Sequence, residues 1–289
     1  MAEFDGVLFS DLHLSEATEP LNAIFDAFVD RVAGTPEIAC LGDLTEYWIG
    51  YMHLRLPFGK YLFDHMQRLA KGAKRAIFVP GNRDFLFNGQ ARKAGYEVHA
   101  NVYEGEFCGR RVAFEHGDRF CTKDIDYQKF RRWFRKLPWG FLQLVITEKR
   151  GHKLAQNLRK KSKASVARKN VSAFGIQPEK VQRLVTRGAE VVVCGHVHSP
   201  FSRNYAGAKN VGRLMVMSDW RPDGAIVGTV KNGEFRLMKF DGNDFHPFEA
   251  PTEQNVYAYG DIPRQLAPLA QAAAESETRG HDPQAASTT

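Results

Sequence analysis

The sequence predicts an α/β fold of two mixed β-sheets flanked by helices, with a helical insertion. Three observations carry this expectation. Short apolar, β-branched or aromatic runs recur along the chain, amphipathic stretches at helical spacing separate them, and most of the runs end in a loop carrying Asp, Asn or His. With 289 residues and 43% hydrophobic composition, the chain can bury one sizeable core.

The first run is Val7-Leu8-Phe9, followed by Leu21, Ile24, Phe25, Phe28 and Val32 at spacings of three and four, a helix whose stripe packs on the sheet. Ile38-Ala39-Cys40-Leu41 is the second strand. Residues 61–69 repeat the helical pattern, and Gly72 ends it before Ala76-Ile77-Phe78-Val79. Val112-Ala113-Phe114-Glu115 and Val191-Val192-Val193-Cys194 are further strands, the latter preceded by a helix through 181–185 with Gly188 at the turn. Beyond Pro200, residues 214–217, 225–230 and 234–238 are short strands separated by Gly and Asn, expected to form a second sheet packed on the first. From about residue 262 large apolar residues almost vanish, so 1–258 is expected to be the catalytic domain and 262–289 a disordered tail.

Cys40, Cys108, Cys121 and Cys194 show no regular spacing, and Cys40 and Cys194 lie inside strand runs, which predicts reduced thiols and a cytoplasmic setting. No leader precedes the first strand, and no apolar run approaches the ~20 residues a bilayer span needs. The expectation is a soluble or peripheral protein. The net charge of +7 is unevenly spread: residues 123–169 hold fifteen Lys and Arg against Asp124, Asp126 and Glu148, an excess of twelve, which leaves the remainder at −5. One basic segment therefore faces an anionic partner.

The loops hold the chemistry. Asp11-Leu12-His13, Gly42-Asp43, Gly81-Asn82-Arg83-Asp84, His116-Gly117-Asp118 and Gly195-His196-Val197-His198 each follow a strand-like run. Singly, such a motif is usually a turn or a cap. Five in order supply imidazoles, an amide and carboxylates for two divalent ions, with Asp43 the natural bridge. The absence of cysteine from the set and of any Cys-x-x-Cys points away from a structural zinc site and toward catalysis.

The order of these motifs resembles the calcineurin-like metallophosphoesterase superfamily over residues 9–200. A finer resemblance, to the UDP-2,3-diacylglucosamine pyrophosphatases of lipid A synthesis, rests on several stretches. These are Ser10-Asp11-Leu12-His13-Leu14-Ser15, Tyr47-Trp48-Ile49-Gly50, Gly81-Asn82-Arg83-Asp84-Phe85, and the run from His116 through Cys121-Thr122, Tyr127-Gln128 and Phe130-Arg131. Arg83 is diagnostic, because most of the superfamily has His after the metal-binding Asn; its place beside Asn82 argues against a surface salt bridge. The resemblance implies an αββα sandwich with a cap insertion at 123–170. It implies that Asp11, His13, Asp43 and His198 hold one metal and Asp43, Asn82, His116 and His196 the other, most often Mn(II). It implies catalytic roles for Asp43, Asn82, Arg83, His116 and His196, and that Asn82, Arg83, Asp124, Tyr127, Ser162, Lys169 and His196 contact substrate. The implied reaction is hydrolysis of the diphosphate of a nucleotide-linked glycolipid, by a protein peripheral on the cytoplasmic face of the inner membrane of a Gram-negative-type bacterium. Val166, Tyr51 and Phe174-Gly175-Ile176-Gln177-Pro178 depart from the subgroup and leave room for a related nucleotide-linked lipid.

Within the insertion, Phe130, Trp133, Phe134 and Leu137 fall at helical spacing with Arg131, Arg132, Arg135 and Lys136 mostly opposite, and Pro138 to Gly140 separates a second helix through Phe141, Leu142, Leu144 and Val145. An aromatic stripe ordinarily packs inward. Its place between the His116 and His196 motifs, with basic neighbours, predicts a shared role, some aromatics anchoring the cap and others meeting acyl chains. The same aromatics and cations would also suit a nuclease or nucleotide phosphodiesterase stacking on single strands. Leu142, Leu144, Val145 and Ile146 offer little to a polyanion, so nucleic acid is not the expected partner. A metal-free scaffold is disfavoured because all seven ligand positions are filled. Oligomeric state has no signature in the sequence.

Overall fold

The computed structural model describes residues 2–139, 153, 157 and 175–252. Strand β1 (Gly6–Phe9) leads to α1 (Glu19–Val32), β2 (Glu37–Cys40), a 3-10 turn (Tyr51–Arg55), α2 (Pro57–Gly72) and β3 (Arg75–Phe78). Then come α3 (Asn88–Ala94), β4 (Glu97–Val98), the hairpin β5 (Val102–Phe107) and β6 (Arg110–Glu115), and the basic helix α4 (Ile125–Arg135). Helix α5 (Pro178–Thr186) and β7 (Val191–Cys194) precede β8 (Phe201–Ala206), β9 (Val211–Val216), β10 (Ala225–Lys231), β11 (Glu234–Phe240) and β12 (Phe245–Pro247).

Two mixed sheets result, ordered β12-β11-β10-β1-β2-β3-β4 and β5-β6-β7-β9-β8. β1 to β4 are parallel, as βα crossovers require, and β10 joins antiparallel to β1 with Val7 opposite Thr229. In the second sheet β6, β7 and β9 are parallel. The expectation that 214–217, 225–230 and 234–238 build one sheet together is corrected here. Only the first lies in the second sheet; β10 and β11 extend the first beside β1. The strand runs alone do not encode this, because a buried strand has the same apolar pattern in either sheet.

Alternation along the strands explains the layers. Val7 and Phe9 of β1 face α1 and α2, packing with Phe25, Phe28 and Leu62, while Leu8 faces the other sheet with Val112, Phe114 and Val193. Val192 and Cys194 turn outward onto Val181, Leu184 and Val185 of α5. Strands β1, β2, β3 and β7 are therefore apolar on both faces, which is why these runs are continuous in sequence. All four cysteines are free thiols, with Cys40, Cys121 and Cys194 buried. No described helix is long and apolar enough to cross a membrane.

Candidate metal centre

The ligand loops leave the carboxyl ends of β1, β2, β3, β6 and β7, so both sheets contribute. Asp11, His13, Asp43, His196 and His198 all adopt left-handed backbone with φ between 52° and 70°. Such conformations cost a non-glycine residue on the order of 1–2 kcal/mol and persist where surrounding structure over-determines them. Two glycines make room beside the carboxylates. A Cβ on Gly81 would collide with the Asp43 side chain, and one on Gly195 with the Asp11 carboxylate and Ser10 hydroxyl.

Two clusters form. In the first, Asp11 Oδ2 accepts from Ser10 Oγ at 2.6 Å and from the His196 N–H at 2.9 Å, which fixes the carboxylate. Its other oxygen, Oδ1, is buried, accepts no hydrogen bond among the described residues, and lies 3.4 Å from His198 Nε2. His13 Nε2 and His198 Nε2 approach to 3.1 Å. Two imidazoles bound to one ion at about 2.1 Å have nitrogens about 3.0–3.4 Å apart, so this spacing suits shared coordination. In the second cluster, His116 Nε2 lies 3.2 Å from Asn82 Oδ1, 3.2 Å from His196 Nδ1 and 3.6 Å from Asp43 Oδ2. His116 Nδ1 meets the Leu41 carbonyl at 2.8 Å, so Nδ1 is the nitrogen that keeps a proton and Nε2 the one that presents a lone pair once the ring is neutral. Asp43 joins the clusters: its carboxylate falls within 4.8 Å of ligand atoms of both Asp11 and His116. The donor set and the orphaned Asp11 oxygen fit two divalent ions.

The electrostatics are those of a buried site crowded with carboxylates. Burial alone would raise the Asp11 carboxyl, but His198, His116 and the Ser10 hydroxyl hold it well below the usual range. Burial raises Asp43, helped by Asp11 and opposed by His116 and Arg83. Burial opposes a charge on His116, yet Asp43, Asp11 and Asp118 push it up to about 9. His196, buried and facing His116, falls to about 3.

Arg83 donates its backbone N–H to Asp43 Oδ1 at 3.0 Å and turns Nε toward Asp43 Oδ2 at 3.4 Å. It also makes a salt bridge, Nη1 to Glu46 Oε2 at 2.5 Å, with both side chains largely buried at the site rather than on the open surface. Trp48 backs this loop, donating its N–H to the Arg83 carbonyl at 3.1 Å and stacking on His53. Asp84, the last residue of its motif, accepts from the Gly81 and Leu44 N–H groups at 2.8 Å each and so ties two ligand loops together.

Asp124 and Tyr127 have structural duties. Asp124 is the N-cap of α4, accepting from the Tyr127 N–H at 3.0 Å. The Tyr127 hydroxyl donates to Asp118 Oδ2 at 2.6 Å, and its ring stacks at 6.3 Å on His196. Asp118 thereby latches the cap helix: Arg131 Nε donates to the same oxygen at 2.6 Å and Gln128 to the Asp118 carbonyl at 2.7 Å. Arg135 adds a bond to the Gly81 carbonyl at 2.8 Å. Phe134 packs on Phe85 and Trp139, whereas Phe130 and Trp133 are 40% and 59% exposed. Ser162, Lys169, Val166 and the second cap helix at 141–145 lie outside the described residues, as does the segment 262–289. Sequence reasoning missed the anchoring by Asp118 and also Asp219, which lies behind His198; the His-Gly-Asp motif displayed Asp118 without its use, and Asp219 carries no local motif.

The profile of the calcineurin-like phosphoesterase family matches residues 7–200, which include all seven candidate ligands. The chain belongs to that family and is a metal-dependent hydrolase with a dinuclear divalent centre. Within it the chain is similar to three proteins named UDP-2,3-diacylglucosamine hydrolase. That of Pseudomonas aeruginosa (strain PAO1) is 33% identical over 234 residues, 78% of this chain and 96% of the relative. That of Aeromonas salmonicida (strain A449) is 30% identical over 255 residues, 86% and 99% of the two chains. That of Pseudomonas fluorescens (strain Pf0-1) is 30% identical over 239 residues, 81% and 95%.

Proposed function

We propose that this enzyme hydrolyses the diphosphate of UDP-2,3-diacylglucosamine to UMP and 2,3-diacylglucosamine 1-phosphate, using two Mn(II) ions, on the cytoplasmic face of the inner membrane. Asp11, His13, Asp43 and His198 are the ligands of one ion, and Asp43, Asn82, His116 and His196 those of the other. Such a pair of ions supplies a water acidified to near-neutral pKa and a clamp on phosphoryl oxygens. The chain's own residues do the rest. Leu41 fixes the His116 tautomer. Arg83, held beside Asp43 by its backbone, offers a guanidinium where phosphoryl charge grows. Residues 123–170 form the cap on a catalytic domain spanning 1–258, with Ser162, Lys169, Asp124 and Tyr127 as the substrate side.

The observation that carries the substrate reading is α4: latched to the ligand loop through Asp118, it exposes Phe130 and Trp133 among basic residues. Apolar surface beside cations beside a phosphoryl-transfer centre suits an acylated nucleotide sugar. The test is UMP release by metal-stripped protein with Mn(II) restored, on UDP-2,3-diacylglucosamine and on UDP-N-acetylglucosamine. Mn-dependent cleavage of the acylated compound alone is expected. Turnover of neither, with hydrolysis of a simple phosphodiester, would keep the metal centre and discard the lipid; salt-sensitive binding of single-stranded DNA would instead favour a nuclease.

A further inference from the structure

Segment 218–221, between β9 and β10, closes over the back of the first cluster. Ser218 Oγ donates to the His198 carbonyl at 3.2 Å, and the Trp220 N–H to the Asp11 carbonyl at 3.2 Å. Between them Asp219, whose side chain has no exposed surface, sets Oδ2 3.8 Å from His198 Nδ1. That nitrogen is buried and makes no hydrogen bond among the described residues. Asp219 Oδ1 is steadied on the other side, sharing the single Ser218 hydroxyl proton, at 3.2 Å, with the His198 carbonyl and facing Arg221 Nε at 3.4 Å.

We infer that Asp219 is a positioning residue for the first metal, accepting the Nδ1 proton of His198 so that Nε2 is the ligand atom and is made more basic. The second cluster shows the neutral counterpart of the device, His116 held by the Leu41 carbonyl at 2.8 Å. A carboxylate orients an imidazole and also raises its donor strength, and loss of such a partner typically weakens metal binding about 10–100-fold. The two sites are then unequal, the one containing His198 being the more dependent on charge behind its histidine.

The inference rests on the two-metal reading but not on the lipid. Mn(II) is titrated into metal-stripped wild type and Asp219→Asn, followed by calorimetry and by electron paramagnetic resonance. Wild type is expected to take two ions and show a spin-coupled pair. In D219N one site should keep its affinity and the other weaken about 10–100-fold, leaving a mononuclear signal at two equivalents. Equal binding by both proteins overturns the inference; failure of wild type to bind two ions overturns the two-metal reading instead. Should D219N not fold, Arg221→Gln gives the answer: without the guanidinium drawing on Asp219, one site tightens, and unchanged binding counts against the inference.

Discussion

The ligand loops and the cap helix α4 touch the same residues and are built on opposite terms. The loops are buried, five of their side chains ride on left-handed backbone, and each carboxylate is fixed by backbone or hydroxyl donors. Helix α4 has no buried residue and is held by side-chain anchors, among them Tyr127, Gln128 and Arg131 on Asp118, Arg135 on Gly81, and Phe134 on Phe85. On the proposed function, the chemistry lies with the buried loops and the choice of substrate with the more exposed helix. Substitutions should separate the two.

The largest effect is expected at the ligands. His116→Ala or Asn82→Ala should lower turnover at least ~10³-fold, ~4 kcal/mol of barrier, on lipid and simple phosphodiester alike. A variant selective for one substrate would break the division drawn above. Arg83→Ala follows, with a loss of about 10²–10³ in kcat at near-normal metal content, because it removes a donor to growing charge and not a ligand. Steady-state kinetics beside metal analysis distinguishes these two outcomes. Asp118→Asn should act on the cap: breaking a buried ion pair costs about 3–5 kcal/mol locally, read as a raised KM for the acylated substrate with the simple phosphodiester little changed.

The smallest effects are those of pH. The Asp118 carboxyl is held well below its ordinary value: burial would raise it, and Arg131, His116 and His196 outweigh that. A depressed pKa gives stability that is present above the unfolded value near 3.9 and lost as pH falls through the folded one, so the latch should survive at pH 5 and fail only in strong acid. Hydrogen exchange in α4 measured down the pH scale checks this. His116 behaves oppositely. Pushed up to about 9, its imidazole must yield a proton before it can bind metal, so ion affinity should rise with pH toward about 9. Proton release measured during Mn(II) titration at neutral pH gives the sign directly.

Much of this was legible in the sequence because strand, turn and ligand come as one local unit. Val7-Leu8-Phe9 before Asp11, or Val191 to Cys194 before His196, announces both the strand and the site at its end. The helical phase of Phe130, Trp133 and Phe134 likewise gave α4, and Phe134 indeed anchors while the other two stay exposed. What escaped depended on partners distant in the chain. β10 pairs with β1 across more than two hundred residues, and no local feature of 225–231 states which sheet it joins. Arg83 meets Glu46 and Asp118 meets Arg131 only after folding. Asp124 and Tyr127 are an exception, with near partners: the cap bond needs the start of α4 and the latch bond needs Asp118 beside the helix, and neither is marked by the residue types alone.

The site draws Asp11, Asp43 and Asn82 from loops of one sheet and His116, His196 and His198 from loops of the other, with the Leu41 carbonyl reaching across to His116. Bound ions would therefore rivet two layers whose contact is otherwise mainly apolar, joined at the site by bonds such as that from the His196 N–H to Asp11 Oδ2. The coordination sphere has no meaning in either sheet alone, so it can assemble only after they dock. Metal uptake during refolding would then be a clock for that docking, and the holoprotein's melting point a gauge of the seam.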